Sequence, residues 1–289
     1  MRSKLKMFYD KKDKINLLED KSYLIFSNPF YQVGKFLKEE KFYLDNYKNN
    51  LKDLKIETGN NSYYTCMYNE KNNTIYSDNY ISDIFGLLHV ASNNREKDGI
   101  GLVDKNGIGT GLNSGLTSLF ASEIVKGNEV YSIEKIVAKT MMLIHKLVIT
   151  DAYFNNEPSF LEVYKLNISE LNCVLDEYHS NSLKLDELNR KISNLRFQII
   201  RNDKLIKEIE EVIYELKNRN ETLVYELFKL ISDLITYSCV DESKKNEITN
   251  IINNDLNMAY NMQGMDYLSH YEDDFKYMAY TKTAKVKRK

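Results

Sequence analysis

ISDIFGLLHVAS (81–92) and GIGTGLNSGLTSLFASE (107–123) are the stretches on which the reading of this chain turns. Both read as helices, joined by a glycine-rich connection: of the eleven glycines, six fall at 99, 101, 107, 109, 111 and 115. The first helix is expected over about 82–92, with Ser82 and Asp83 as N-cap residues because their side-chain oxygens can accept from the free N–H groups of a first turn. It carries His89 near its end. The second is expected to start near Leu112 or Asn113, so that Asn113-Ser114-Gly115 opens it.

Outward from this pair, the 289 residues suffice for a full hydrophobic core in one large or two small domains. With 43% hydrophobic and 28% charged residues the composition is that of a soluble globular protein. A formal charge of −2 gives no reason to expect nucleic acid or an anionic membrane as partner. Lysines within 1–55 are interleaved with acids and form no basic face. Cys66, Cys173 and Cys239 are odd in number and contain no CxxC, so neither a disulfide framework nor a thiolate zinc site is indicated. The first residues, MRSKLKMFYDKKDKINLLEDK, lack the apolar run of a secretory signal, and no stretch of about 18 apolar residues could span a bilayer. The expected compartment is the cytoplasm.

Along the chain, residues 1–20 are strongly charged and read as frayed or as a short helix. Ser22 to Leu51 holds aromatic and aliphatic residues around Pro29, followed by a charged stretch that reads as helical. Between Leu54 and Ser77 the text changes: KIETG, SYYTCMY and NTIYSDN are short, rich in Tyr, Thr and Ile, and broken by Gly-Asn-Asn and Lys-Asn-Asn. Two or three strands joined by tight turns are expected, since Gly and Asn tolerate positive φ. A helix over 133–147 follows, and Ala152-Tyr153-Phe154-Asn155-Asn156 reads as a helix ending in a turn. Later, Leu185, Leu188, Ile192, Leu195, Ile199, Ile206, Ile209, Ile213, Leu216 and Leu223 hold alternating three- and four-residue steps, with Asn202 and Asn220 as polar intruders. That pattern reads as one long amphipathic helix, packed in an intramolecular hairpin against a helix over 223–238. A coiled-coil dimer in which Asn202 fixes the register is the alternative. The residues from Tyr260 to Lys289 end in a basic run, expected to be a solvated tail.

A hydrolytic zinc needs two imidazoles four residues apart on one helical face, a glutamate beside the first, and a third ligand from elsewhere. The residues in register with such an HExxH motif are Phe85, Gly86, Leu87, Leu88 and His89. Further on, Asn113-Ser114-Gly115-Leu116-Thr117-Ser118 stands where a metallopeptidase helix reads Asn-Glu-Gly-x-Thr-Glu. Together with Asn73-Thr74-Ile75, Leu112 to Gly115, Tyr131-Ser132-Ile133-Glu134 and Ala152 to Asn156, in that order over about 63–166, the chain resembles HExxH zinc-peptidase-like proteins of low-GC Gram-positive bacteria. The resemblance implies a gluzincin-type core in which Phe85 replaces a ligand, Gly86 the general base, Ser114 the third ligand and Ser118 a following acid. Only His89 keeps its ligand type.

Other chemistries are weaker. His145, His179 and His270 lie at no ligand spacing from His89. In Gly111-Leu112-Asn113-Ser114-Gly115 the glycines sit one position too early for a nucleophile elbow, and no strand precedes them. Gly107-Ile108-Gly109-Thr110-Gly111 could offer backbone N–H groups to an anion, yet it matches neither nucleotide-binding fingerprint and reads as a turn-rich loop.

The expectation is therefore an α+β, predominantly α-helical chain. A metallopeptidase-like helical core with a small β-hairpin or sheet occupies 1–165, a long-helix bundle or hairpin 166–260, and a tail 261–289. It is expected to be a catalytically inactive pseudo-metallopeptidase without metal or other cofactor, binding an unknown protein partner and monomeric rather than a coiled-coil dimer. Phe85 is expected to extend the core, and the vestigial site to comprise Phe85, Gly86, His89, Asn113, Ser114 and Ser118. Two alternatives remain: an assembly protein that dimerises through the helix over 185–223, and a hydrolase with its site around His89 and Ser114.

Overall fold

A computed structural model describes residues 28–40, 44–58, 66–77, 80–97, 99–125, 132–164, 167–196 and 202–263. Over these the chain is mostly helical with one three-stranded mixed sheet, the predominantly helical α+β class expected from the sequence. The expectations for residues 1–20, Ile199, His270 and the basic tail fall outside the described residues. By its internal contacts the chain divides into two compact units, which interleave in sequence. The first comprises 1–109, 116–130 and 145–161; the second comprises 110–115, 131–144 and 162–289.

In the first unit, α1 (Pro29–Glu39) begins where Asn28 accepts from Tyr31 N–H and proline occupies the first turn. Its apolar side buries Phe30, Val33 and Leu37. After α2 (Leu44–Leu51) come β1 (Lys55–Thr58), β2 (Cys66–Asn69) and β3 (Thr74–Ser77), in the order β1-β3-β2. β3 is central, parallel to β1 and antiparallel to β2. The turn before it places Asn73 at φ +49°, the left-handed region that asparagine tolerates.

Next, α3 (Tyr80–Ser92) packs on the sheet and on α1 and α2. It starts two residues earlier than expected, so Ser82 and Asp83 lie inside the helix rather than at its N-cap. Asp83 instead accepts a hydrogen bond from the Ser77 hydroxyl, tying the first turn of α3 to the end of β3.

Likewise α4 (Thr110–Ile124) begins at Thr110, behind a Gly109 at φ +99°, which moves the helix start ahead of Leu112. Helix α5 (Ile133–Asn155) runs well past the expected residue 147 and is broken at His145, whose φ of −144° and ψ of 73° are not helical. The C-terminal half of α5 and that of α4 both belong to the first unit. There Phe120 packs its ring against Phe36, Tyr153 and Phe154, with centroids 5.3–5.6 Å apart. Such tilted aromatic groups supply large buried area at low rotamer cost.

After a 3-10 stretch at Pro158–Tyr164, the second unit is built from α6 (Ile168–Arg196), α7 (Asp203–Tyr237) and α8 (Glu242–Gln263). The single heptad helix expected over 185–223 is two helices. α6 ends at Arg196 and α7 begins at Asp203, and the two pack antiparallel, crossed by ion pairs Arg196–Glu210 and Glu177–Arg219. The residues 223–238, expected as a separate helix, continue α7. Asn202 is no polar intruder in a seam. It caps α7, accepting from Leu205 N–H at 3.1 Å. Asn220 is buried in the seam, 3.5 Å from the Ser182 hydroxyl. No helix of the described residues is long and apolar enough to cross a membrane.

Candidate functional site

Phe85, Gly86 and His89 all lie on α3. Gly86 is buried, and its backbone rests directly on the sheet: a Cβ built there would stand 2.6 Å from Ile75 Cγ2 and 3.0 Å from two further carbons of the same side chain. Ile75 is completely buried in the central strand. The position in register with a general base is therefore occupied by a helix–strand contact, and no side chain fits without moving the core. Phe85 carries no donor atom for a metal. It is half-buried, not the full core residue expected from its hydrophobicity.

His89 follows Phe85 by one helical turn. Part of its surface reaches solvent, yet the side chain is packed closely enough that burial holds its pKa down at about 4. The imidazole is thus neutral across the physiological range. The metal that the resemblance implies does not fit these residues: the first ligand position has no donor, the base position has no room, and among the described residues no three His, Cys, Asp or Glu side chains gather as a metal-binding group.

Asn113 and Ser114 belong to the second unit, as the fourth and fifth residues of α4; Asn113 is buried and Ser114 half-buried. Ser118, one turn on, is half-buried in the first unit. What the Gly111-to-Gly115 segment does is visible from its glycines. A Cβ at Gly111 would stand 2.6 Å from the Leu175 carbonyl of α6, and one at Gly115 would stand 2.1 Å from the Glu134 carbonyl of α5. Two glycines four residues apart let α4 approach two other backbones at once. The segment that resembles a ligand helix is here a close-packing helix.

Its N-terminus is also spoken for. Asp176 of α6 accepts from Gly111 N–H at 2.7 Å and from the Thr110 hydroxyl at 3.1 Å. A carboxylate therefore stands where an anion would have to bind, and the glycine-rich loop is no phosphate cradle. Upstream, Asp104 accepts from Asn106 and Ile108 N–H at 2.8 and 2.9 Å, and these backbone donors hold its carboxyl below the usual range.

Two polar assemblies were not legible beforehand. In the first unit, Asn50 Nδ2 donates to the carbonyls of Val90 at 2.8 Å and Asn93 at 2.7 Å, closing the C-terminal turn of α3. Asn73 donates to Asn50 O at 2.6 Å and Asp53 at 2.8 Å and accepts from the Tyr68 hydroxyl, to which Asn93 donates in turn. Arg95 closes the set with two hydrogen bonds to Asp53, which hold that carboxyl low; burial raises Tyr68. Every member bonds a neighbour, so the network fixes α2, the β2–β3 turn and α3 to one another. In the second unit, Glu134 is buried and meets His179 Nδ1 at 3.0 Å, a contact between α5 and α6. Glu134 is the acid of the Tyr131-x-x-Glu134 motif, and its signal in the sequence was the acid; nothing pointed to His179 as its partner, 45 residues away.

Compared with known proteins, the chain matches no family model, no curated protein and no solved structure.

Proposed function

We propose that this chain is a catalytically inactive relative of the HExxH zinc metallopeptidases and acts as a binding protein. The contact between Gly86 and Ile75 carries the proposal. Hydrolysis by a zinc-bound water needs a proton acceptor beside the metal, and at that register the chain has committed its backbone to helix–sheet packing. A donor-free Phe85 at the first ligand position and a neutral, desolvated His89 point the same way. A second reading, assembly through the long helices, is favoured by the α6–α7 hairpin, whose leucines Leu185, Leu188, Leu195 and Leu205 are only partly buried around Ile192, Ile209 and Ile213.

The test is zinc content and peptide hydrolysis of the purified chain, with His89→Ala and Ser114→Ala beside it. The expected result is substoichiometric zinc that His89→Ala does not change, and no hydrolysis that depends on either side chain. Stoichiometric zinc lost on His89→Ala would overturn the proposal, as would hydrolysis abolished by either substitution, which would make that side chain part of an active site.

A further inference from the structure

We infer that the α6–α7 hairpin is a self-association surface whose partner is the same hairpin of a second copy of this chain. The inference does not depend on the fate of the zinc site, and the zinc and hydrolysis assays leave it untouched.

Its first support is an apolar strip along one side of the hairpin. On α6, Glu177, Leu188 and Leu195 are spaced by eleven and seven residues, which brings all three to one side at about 100° per residue. On α7, Leu205, Val212 and Arg219 repeat every seven and share a side in the same way. The Glu177–Arg219 ion pair, 2.6 Å, shows that these two sides are one side of the hairpin. Leu188, Leu195 and Leu205 pack against the buried isoleucines yet stay partly exposed, and Val212 is 36% exposed. A two-helix layer with apolar residues past its own seam has surface for another layer.

The second support is the charge on the two rims. Lys184 and Lys191, each four residues before one of the strip leucines, border the strip on the α6 edge; Glu208 and Glu215, three residues after Leu205 and Val212, border it on the α7 edge. All four are exposed. Glu208 also lies 3.7 Å from Lys204 along its own helix, an exposed pair of small energetic weight. The ion pairs that set the antiparallel register bring Lys184 near the level of Glu215 and Lys191 near the level of Glu208.

Together these select both occupant and geometry. A second copy related by a two-fold axis along the hairpin lays α6 of one copy on α7 of the other, lysine rim against glutamate rim, with both strips buried between them. A two-fold axis across the hairpin would lay α6 on α6, and set lysines against lysines and glutamates against glutamates. Charge complementarity favours the first, an antiparallel four-helix bundle with a self-complementary interface.

The experiment is sedimentation equilibrium of the full chain at micromolar concentration. Wild type should sediment at twice the chain mass. K184E/K191E and E208K/E215K should each sediment as monomers, because every rim contact then becomes like-charged. An equimolar mixture of the two variants should recover the dimer, since each rim now meets its opposite. V212K, which changes the strip and not the rims, should also be monomeric. Circular dichroism confirms that each variant is folded, and an unfolded charge variant leaves V212K to decide. A monomeric wild type, a dimer indifferent to these substitutions, or folded swap variants that fail to pair on mixing would each overturn the inference.

Discussion

Gly86 and Ile75 touch without a side chain between them: a Cβ on Gly86 would lie 2.6 Å from Ile75 Cγ2, closer than packed carbon atoms come. The contact sets the distance between α3 and the central strand. Alanine normally stabilises a helix by about 1 kcal/mol over glycine, but here overpacking should outweigh that gain. Gly86→Ala is expected to destabilise the chain by about 1–2 kcal/mol net, and Gly86→Glu by more, in urea unfolding. In an Ile75→Ala background, which removes Cγ1, Cγ2 and Cδ1 together, Gly86→Ala should cost less than it does in the wild type. Equal stability of Gly86→Ala and wild type would show that the strand yields freely at this point.

Asn50 joins α2 to the last turn of α3 by donating from Nδ2 to two carbonyls, those of Val90 and Asn93. Asn50→Ala leaves both buried carbonyls short of a donor, and a cost of about 2–4 kcal/mol is expected. Asn50→Asp should cost at least as much, because a carboxylate cannot donate to a carbonyl. Thermal unfolding of the two variants measures this, and a loss under half a kilocalorie per mole in both would mean that the network is dispensable.

Burial depresses the His89 pKa to about 4, below the value near 6.5 of an unfolded imidazole. Between these values the unfolded chain binds the proton that the folded chain refuses, so stability rises with pH there. The contribution is complete above about pH 6.5 and is lost as pH falls toward 4, by up to about 3 kcal/mol. His89→Gln should flatten the difference in urea midpoint between pH 7 and pH 4.5 relative to wild type. An unchanged pH dependence would show that the folded chain protonates this imidazole as readily as the unfolded one.

Asn202 distinguishes a hairpin from a continuous helix. As the N-cap of α7, its loss in Asn202→Ala should cost about 1 kcal/mol, whereas within an unbroken helix alanine would stabilise. The sign of the change in thermal midpoint decides between them.

Much of the architecture could be read ahead of the coordinates. Asparagine and glycine pairs between short Tyr- and Thr-rich runs pointed to two or three strands, where the sheet has three, because positive φ at turns restricts residue type. The separation of α6 from α7 escaped, since Leu195, Ile206 and Ile209, spaced by eleven and three residues, stay in heptad register and periodicity does not register a reversal. Asn202 before Asp203 was the available sign, a cap followed by an acid in the first turn. Phe85 was expected in the core from its hydrophobicity, but burial depends on which arc of α3 meets the sheet, and Gly86 marks that arc.

By itself the sequence determined the helical or extended character of much of the chain, and that residue 86, in register with the glutamate of an HExxH motif, has no side chain; these follow from local propensity and residue chemistry. Only the tertiary structure decided why that position stays empty, what caps α4, and which helices share a seam. Those outcomes depend on contacts such as Ile75 with Gly86 and Asp176 with Gly111, between residues of different elements. Side-chain periodicity records that a face is buried, and it carries no record of what buries it.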